Sequence, residues 1–355
     1  MRVLALNSSP RSTGQSKTEL MLNRLVEGMR DAGAKVEVVN LRQKNIKNCI
    51  GCYTCWTKTP GQCIHKDDMT KELFPKWLES DLVVYATPLY NYTVNATLKA
   101  FMERTLPSFE PFFEIHQGRM FHPVRHKNPA VVVLSVAGMP DEGHFGPLSV
   151  HVKYMWSTPG RKLVAEIYRP AAEAMTSPFL KEKTNDILDA TTQAGRELVQ
   201  SMKISPETMA RITQPLVEAR LFAGMANVMW KTCIAERVTP KEFAEKGMVP
   251  RPDSLDSFLL IFPFGVNAKV VGDRKVVLQF KFSGEVEGSC YFTIEKGTIG
   301  AQSGTWANPD LTIDAPFNVW MDIMTGKADG QQMFVEQKYK VSGDLSLMMQ
   351  LFQRA

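Results

Sequence analysis

The chain has 355 residues, 44% hydrophobic and 22% charged, which places it among globular proteins long enough to bury two modest cores. Its formal charge of +5 is small for this length, and no basic stripe is interleaved with aromatics, so composition argues against a nucleic-acid surface. No charge-free apolar run approaches the roughly 18 residues of a membrane span, and Met1 leads straight into a strand, so a cytoplasmic protein without a span is expected.

Arg2 to Leu6 predicts a short buried strand, followed by a polar turn from Asn7 to Gln15. Helical periodicity then returns at Met21, Leu22, Leu25, Val26 and Met29. Runs at Val36–Val39, Leu82–Ala86, Val131–Val136 and Leu163–Ile167 are nearly continuous in apolar residues, as parallel strands covered on both faces require. Five such strands with helices between them predict a doubly wound α/β domain. Its last helix is expected over Asn185–Met202, and Ser205-Pro206-Glu207 is a start signal for another helical region. The expected organisation is a first domain over 1–204, a helical bridge over 205–254 and a second domain over 255–355. In the bridge, Leu221, Met225, Val228 and Met229 are available for one packing face.

After Pro250-Arg251-Pro252 the period changes. Val276, Leu278, Phe280 and Phe282 alternate with Val277, Gln279 and Lys281, which predicts a strand with unequal faces in an antiparallel sheet. Cys290–Ile294, Leu311–Ile313 and Lys338–Ser342 supply further strands, and a closing helix is expected to carry Leu345, Met348, Met349 and Phe352 on one side.

The polar segment from Asn7 to Ser16 sits where backbone N–H groups and the positive end of the first helix converge, which suits a phosphate. Ser9 and Ser16 can donate hydroxyls, Arg11 can supply charge, and Gly14 allows close backbone approach. The pattern is not the dinucleotide-binding GxGxxG. A second loop, Thr87 to Thr93, should lie at the same sheet edge and offers rings and amides to a flat ligand. A third, Ala137 to His144 with Gly138 near its start, can close over that ligand. Asp67 and Asp68 read as caps of the helix that includes Leu73 and Trp77.

Four of the six cysteines fall in one short stretch. Cys49, Cys52 and Cys55 are each separated by two residues, and Cys63 follows after seven more. That interval suits a four-iron cluster better than structural zinc, which usually takes two well-separated CxxC pairs. A zinc site, or reduced thiols under an aromatic flap of Tyr53 and Trp56, are the alternatives.

Residues 1 to 200 resemble the NADPH-dependent FMN reductase family, in particular its iron-sulfur flavoprotein branch. The family's GSPRxxGNT loop stands here as Ser8-Ser9-Pro10-Arg11-Ser12-Thr13-Gly14-Gln15-Ser16, with the leading Gly and the Asn-Thr pair changed. The resemblance implies a flavodoxin-like fold, an FMN phosphate held by Ser9, Arg11, Gln15 and Ser16, and an isoalloxazine beside Pro88, Leu89, Tyr90 and Asn91, with Gly138 also at the cofactor. It further implies a [4Fe-4S] cluster on Cys49, Cys52, Cys55 and Cys63, NAD(P)H as electron donor, and a homodimer or homotetramer. In that assembly the segments Tyr53–Trp56 and Phe109–Phe113 are candidates to cover a neighbour's flavin, with packing inside the chain as the alternative.

Residues 255 to 352 resemble the sterol carrier protein 2 family through Gly284, Cys290–Ile294, Asn308-Pro309-Asp310-Leu311-Thr312-Ile313, Gly326-Lys327-Ala328-Asp329 and Tyr339-Lys340-Val341-Ser342-Gly343-Asp344. This resemblance implies an α+β domain and an apolar ligand. The leading expectation is an FMN-dependent NAD(P)H oxidoreductase relaying electrons through the cluster. The alternatives are a flavoprotein reduced by a ferredoxin-like partner, and a non-enzymatic lipid-binding or docking protein.

Overall fold

In the structure, a computed structural model that describes residues 1–352, the apolar runs of the first half pair into one parallel sheet. Its strands are β1 (Arg2–Asn7), β2 (Lys35–Asn40), β3 (Leu82–Pro88), β4 (Ala130–Val136) and β5 (Lys162–Arg169), in the order β2-β1-β3-β4-β5. This is the flavodoxin-like order. The inner strands β1, β3 and β4 are almost wholly buried, whereas β2 and β5 are half exposed because each lies at an edge. The chain divides into two compact units, Met1–Glu218 and Ala219–Ala355; the end of the expected 255–355 domain beyond Phe352 lies outside the described residues.

The helices α1 (Lys17–Asp31), α2 (Phe74–Glu79), α3 (Ala96–Glu103) and α4 (Gly146–Met155) lie between these strands, and α5 (Lys181–Ser201) follows the last of them. On one face, Met21, Leu22, Leu25 and Met29 of α1 and Ile187, Ala194 and Leu198 of α5 cover Val3, Ala5, Val84 and Val132. On the other, Trp77, Leu98, Phe101 and Leu148 cover Leu4, Leu6, Tyr85 and Val133. Helices α1 and α5 cross at backbone contact: a Cβ on Gly28 would lie 1.7 Å from the Thr192 carbonyl oxygen, and one on Gly195 would lie 2.1 Å from that of Leu25. Only glycine fits there, and the crossing fixes α1 against the sheet. Helix α6 (Pro206–Thr213) belongs to the same unit, since the fully buried Arg169 guanidinium donates to the carbonyls of Ile212 and Gln214.

The second unit begins with α7 (Ala219–Glu236), α8 (Pro240–Glu245) and α9 (Leu255–Ile261). Of the four residues expected on the packing face of α7, only Val228 is fully buried. The sheet holds β6 (Val276–Ser283), β7 (Gly288–Glu295), β8 (Thr298–Ser303), β9 (Leu311–Pro316) and β10 (Lys340–Gly343), ordered β8-β7-β6-β9-β10. It is mixed rather than antiparallel, because β9 crosses over to pair parallel with β6. The polar edge strand β8 gave no apolar signal in the sequence. The expected unequal faces of β6 also need correction. Val277 and Gln279 are buried along with their neighbours, and Gln279 is satisfied there by accepting a hydrogen bond from the Trp306 backbone N–H at 2.7 Å.

Helices α10 (Phe317–Met324), α11 (Gly330–Val335) and α12 (Leu345–Phe352) complete this unit. The closing helix α12 buries Leu347 and Leu351, with Met348 and Phe352 partly covered, while Leu345 and Met349 face outward; the expected face was rotated. Aromatic rings fill the inner side of the sheet: Phe258 lies 4.9–5.0 Å from Phe262, Phe280 and Phe282, and Phe262 lies 4.5 Å from Phe292. Such edge-on and tilted packing gives a dense core.

Candidate functional site

In a parallel sheet of this order the ligand crevice opens at the carboxyl ends of β1 and β3, where the strand order reverses. The register pairs Asn7 with Ala86 and Pro88 with Val136, so the loops after β1, β3 and β4 leave the sheet side by side. Those are the three loops singled out in the sequence.

The loop after β1 is held from within. The Ser8 hydroxyl donates to the Ala86 carbonyl at 2.9 Å, and the Ser9 N–H donates to Asn7 Oδ1 at 3.1 Å. Ser9 Oγ accepts from the Arg11 N–H at 3.3 Å, and Ser16 Oγ caps α1 by accepting from the Glu19 N–H at 3.0 Å. Both hydroxyls are buried and used as acceptors, which leaves their protons available to an incoming anion. Gly14 adopts φ +84° with open space where a Cβ would sit, so backbone is presented directly. Gln15 and Arg11 are exposed, and Arg11 pairs at 2.5 Å with Glu173, which follows β5.

In the loop after β3, Tyr90 and Thr93 exchange backbone hydrogen bonds across Asn91 and Tyr92, whose φ values are 45° and 63°. Two consecutive left-handed residues make a type I′ turn, strained for tyrosine. The turn displays Tyr90 and Tyr92 to solvent, while Pro88 is buried beneath them and Leu89 is half-buried. Across the crevice the exposed Gly138 begins the third loop, whose His144 ring lies 5.7 Å from Tyr92. Sequence reading missed Asn95. Its Oδ1 caps α3, and its Nδ2 donates to the Ser8 carbonyl at 2.6 Å, tying the first loop to the second. The Asn before an amphipathic stretch was the available signal.

The four clustered cysteines gather at the other end of α3. Cys49, Cys52, Cys55 and Cys63 line one cleft with His65, Arg104 and Leu106. All are free thiols, and Cys52 is exposed while Cys55 is buried. Hydrogen bonds from Thr54 lower the Cys52 thiol's pKa, whereas burial, then the charges of Cys63 and the other two cysteines, raise that of Cys55. Among the described residues, no three Cys, His, Asp or Glu side chains converge on a point that would hold a single metal ion.

A second residue missed in the sequence anchors this cleft. Arg104, next after α3, forms a two-pronged pair with Asp67 at 2.7 and 3.1 Å, with side chains only 1% and 0% exposed. The same guanidinium donates to the Lys47 carbonyl, and Asp67 accepts from the Lys47 N–H, so one buried pair clamps both flanks of the cysteine segment. Asp67 does cap the following helical turn, through the Thr70 N–H, but Asp68 instead accepts from the Asn45 N–H. Burial alone would raise the Asp67 carboxyl; the bonds from Arg104, Lys47 and Thr70 overcome this and hold it well below the usual range. Of the two aromatic segments expected at a neighbour's flavin or packed within the chain, Trp56 and Phe113 each contact the His122 ring, at 4.6 and 4.7 Å, while Tyr53, Phe112 and Phe113 are exposed.

Comparison with known proteins matches residues 1–144 to the NADPH-dependent FMN reductase family and residues 269–354 to the SCP-2 sterol transfer family. The chain thus carries one segment similar to each of these two families. An iron-sulfur flavoprotein of Archaeoglobus fulgidus is 37% identical over 107 residues, 30% of this chain and 46% of that one. One from Methanocaldococcus jannaschii is 35% identical over 104 residues, 29% of this chain and 50% of its own length. The chain thus spans about half the length of these curated relatives. Among solved structures, an NAD(P)H:quinone oxidoreductase from Methanothermobacter marburgensis aligns with TM-score 0.41 and 19% identity, over 56% of this chain and 96% of that one. Among the described residues, no helix is long and apolar enough to cross a membrane.

Proposed function

We propose that the chain is an FMN-dependent NAD(P)H oxidoreductase that relays electrons through a [4Fe-4S] cluster to a quinone, small organic or protein acceptor. The observation that carries this reading is the placement of two candidate sites at the two ends of one short helix: Asn95 ties the start of α3 to the phosphate loop, and Arg104 ties its end to the cysteine cleft. A helix of this length separates them by roughly 12 Å.

In the first site, Ser9, Arg11, Gln15 and Ser16 would hold the phosphate, assisted by the free N–H groups at the start of α1. Pro88, Leu89, Tyr90, Asn91 and Gly138 would border the ring. FMN, when bound, supplies two-electron exchange with a nicotinamide and one-electron exchange with a cluster. In the second site, Cys49, Cys52, Cys55 and Cys63 would be the ligands, and the Arg104 cation beside Cys63 would offset their negative charge. What supports a cluster over a lone zinc ion is the close spacing of Cys49, Cys52 and Cys55 with Cys63 in the same cleft. In the second unit, an apolar ligand would have to enter by displacing the rings around Phe258.

Substituting Arg11→Ala together with Ser16→Ala is expected to raise the FMN dissociation constant at least about tenfold, since each phosphate contact contributes on the order of a kcal/mol. Flavin fluorescence titration of the apoprotein measures this, and an unchanged constant would sink the phosphate-site assignment.

A further inference from the structure

We propose that Arg42 is a second cation of the phosphate site, approaching the cofactor's phosphate from the flank opposite Arg11. The inference rests on the FMN reading above and adds a residue that neither the loop motif nor the flavin-ring loops include. Arg42 lies in the short turn Leu41–Gln43 that follows β2, at the carboxyl edge of the sheet beside β1.

Two of the other cations near the loop have firm partners, while Lys17 has no ion pair within 4 Å among the described residues. Arg11 holds Glu173 at 2.5 Å and Lys44 holds Glu72 at 2.7 Å. Lys17 lies on the Arg11 side, within the field of Glu173. Arg42 has one ordinary hydrogen bond, to Thr13 Oγ1 at 3.2 Å, and two long contacts, to Asn40 Oδ1 at 3.5 Å and a Glu19 carboxylate oxygen at 3.8 Å. Thr13 belongs to the phosphate loop itself. The Arg42 side chain is 18% exposed, so its guanidinium is sheltered from bulk water, and its contact with Thr13 places it at the edge of the loop; the open cleft it also lines is bordered by Lys44, Ile46, Ala96 and Thr97.

Glu19 explains why a cation belongs here. It occupies the first turn of α1 with its side chain 12% exposed, and its Oε2 is buried without a hydrogen-bond partner. A carboxylate at the helix end that receives a phosphate opposes that anion. The Arg42 fork offsets it, and its two parallel N–H groups match phosphate oxygens better than an ammonium does.

The test compares FMN with riboflavin, which lacks the phosphate, as ligands of the apoprotein. Arg42→Gln should lower the ratio of riboflavin to FMN dissociation constants about tenfold while leaving riboflavin binding within about twofold. Arg42→Lys should keep part of the ratio, and Glu19→Gln should raise it. Thermal melts of each apoprotein report folding; should Arg42→Gln fail to fold, the Arg42→Lys and Glu19→Gln ratios decide. An Arg42→Gln ratio equal to the unsubstituted one, or a Glu19→Gln ratio that falls, overturns the role of Arg42 alone. Failure of the unsubstituted chain to bind either flavin overturns the FMN reading and this inference with it.

Discussion

Replacing Asp67 by asparagine is expected to destabilise the first unit by about 3–5 kcal/mol, because it leaves the Arg104 cation buried without its counter-charge. The size follows from geometry: both side chains are sealed from water, and the pair holds Lys47 on one flank of the cysteine segment and Thr70 on the other. Removing both charges, as Asp67→Leu with Arg104→Met, should cost less than Asp67→Asn alone, since the desolvation penalty disappears with the pair. Urea unfolding followed by circular dichroism measures each variant. A loss below about 1 kcal/mol for Asp67→Asn would show that the clamp is not what fixes the segment. The pair also sets a pH dependence. The Asp67 carboxyl is depressed in the folded chain, so its contribution is fully present above about pH 4, the unfolded value, and is lost as pH falls toward the lower folded value. Asp67→Asn should lack that acid-side decline.

Cys52→Ala is expected to abolish acid-labile sulfide while FMN binding persists. Cys52 is the exposed thiol of the cleft, and hydrogen bonds from Thr54 lower its pKa, which favours the thiolate that ligates iron. The candidate phosphate and ring loops lie at the opposite end of α3 from the cysteine cleft. Sulfide and iron assays on anaerobically purified variant and parent give the comparison. Cluster content equal to the parent would remove Cys52 from the ligand set. Loss of flavin together with sulfide would instead mean that the two sites do not stand apart.

The first unit was readable because its signals are local. Apolar runs such as Leu82–Ala86 need only burial on both faces, and Ser16 caps α1 from the position where a cap is expected. The loop after β1 and the cysteine stretch stood out as candidates for the same reason, each being contiguous in sequence. What escaped was long-range. Arg104 meets Asp67 across 37 positions and Asn95 meets Ser8 across 87, and no spacing rule connects either pair. In the second unit, period-two alternation misjudged β6 because a buried Gln279 can be satisfied by a distant Trp306, and the crossover to β9 has no signature in composition. The outward Met349 shows the same limit for helices: in α12 nearly every residue is apolar, so several faces compete and only the packed sheet chooses among them.

The most direct test is an ultraviolet-visible spectrum of the anaerobically purified chain, taken with flavin, iron and sulfide analysis and repeated after addition of NADPH. The account predicts FMN bound at about one per chain, broad iron-sulfur absorption beneath the flavin bands with about four irons and four sulfides, and bleaching of the flavin by the nicotinamide. Flavin bands without iron would remove the cluster and leave the oxidoreductase. A colourless protein that cannot be reconstituted with FMN would contradict the central claim.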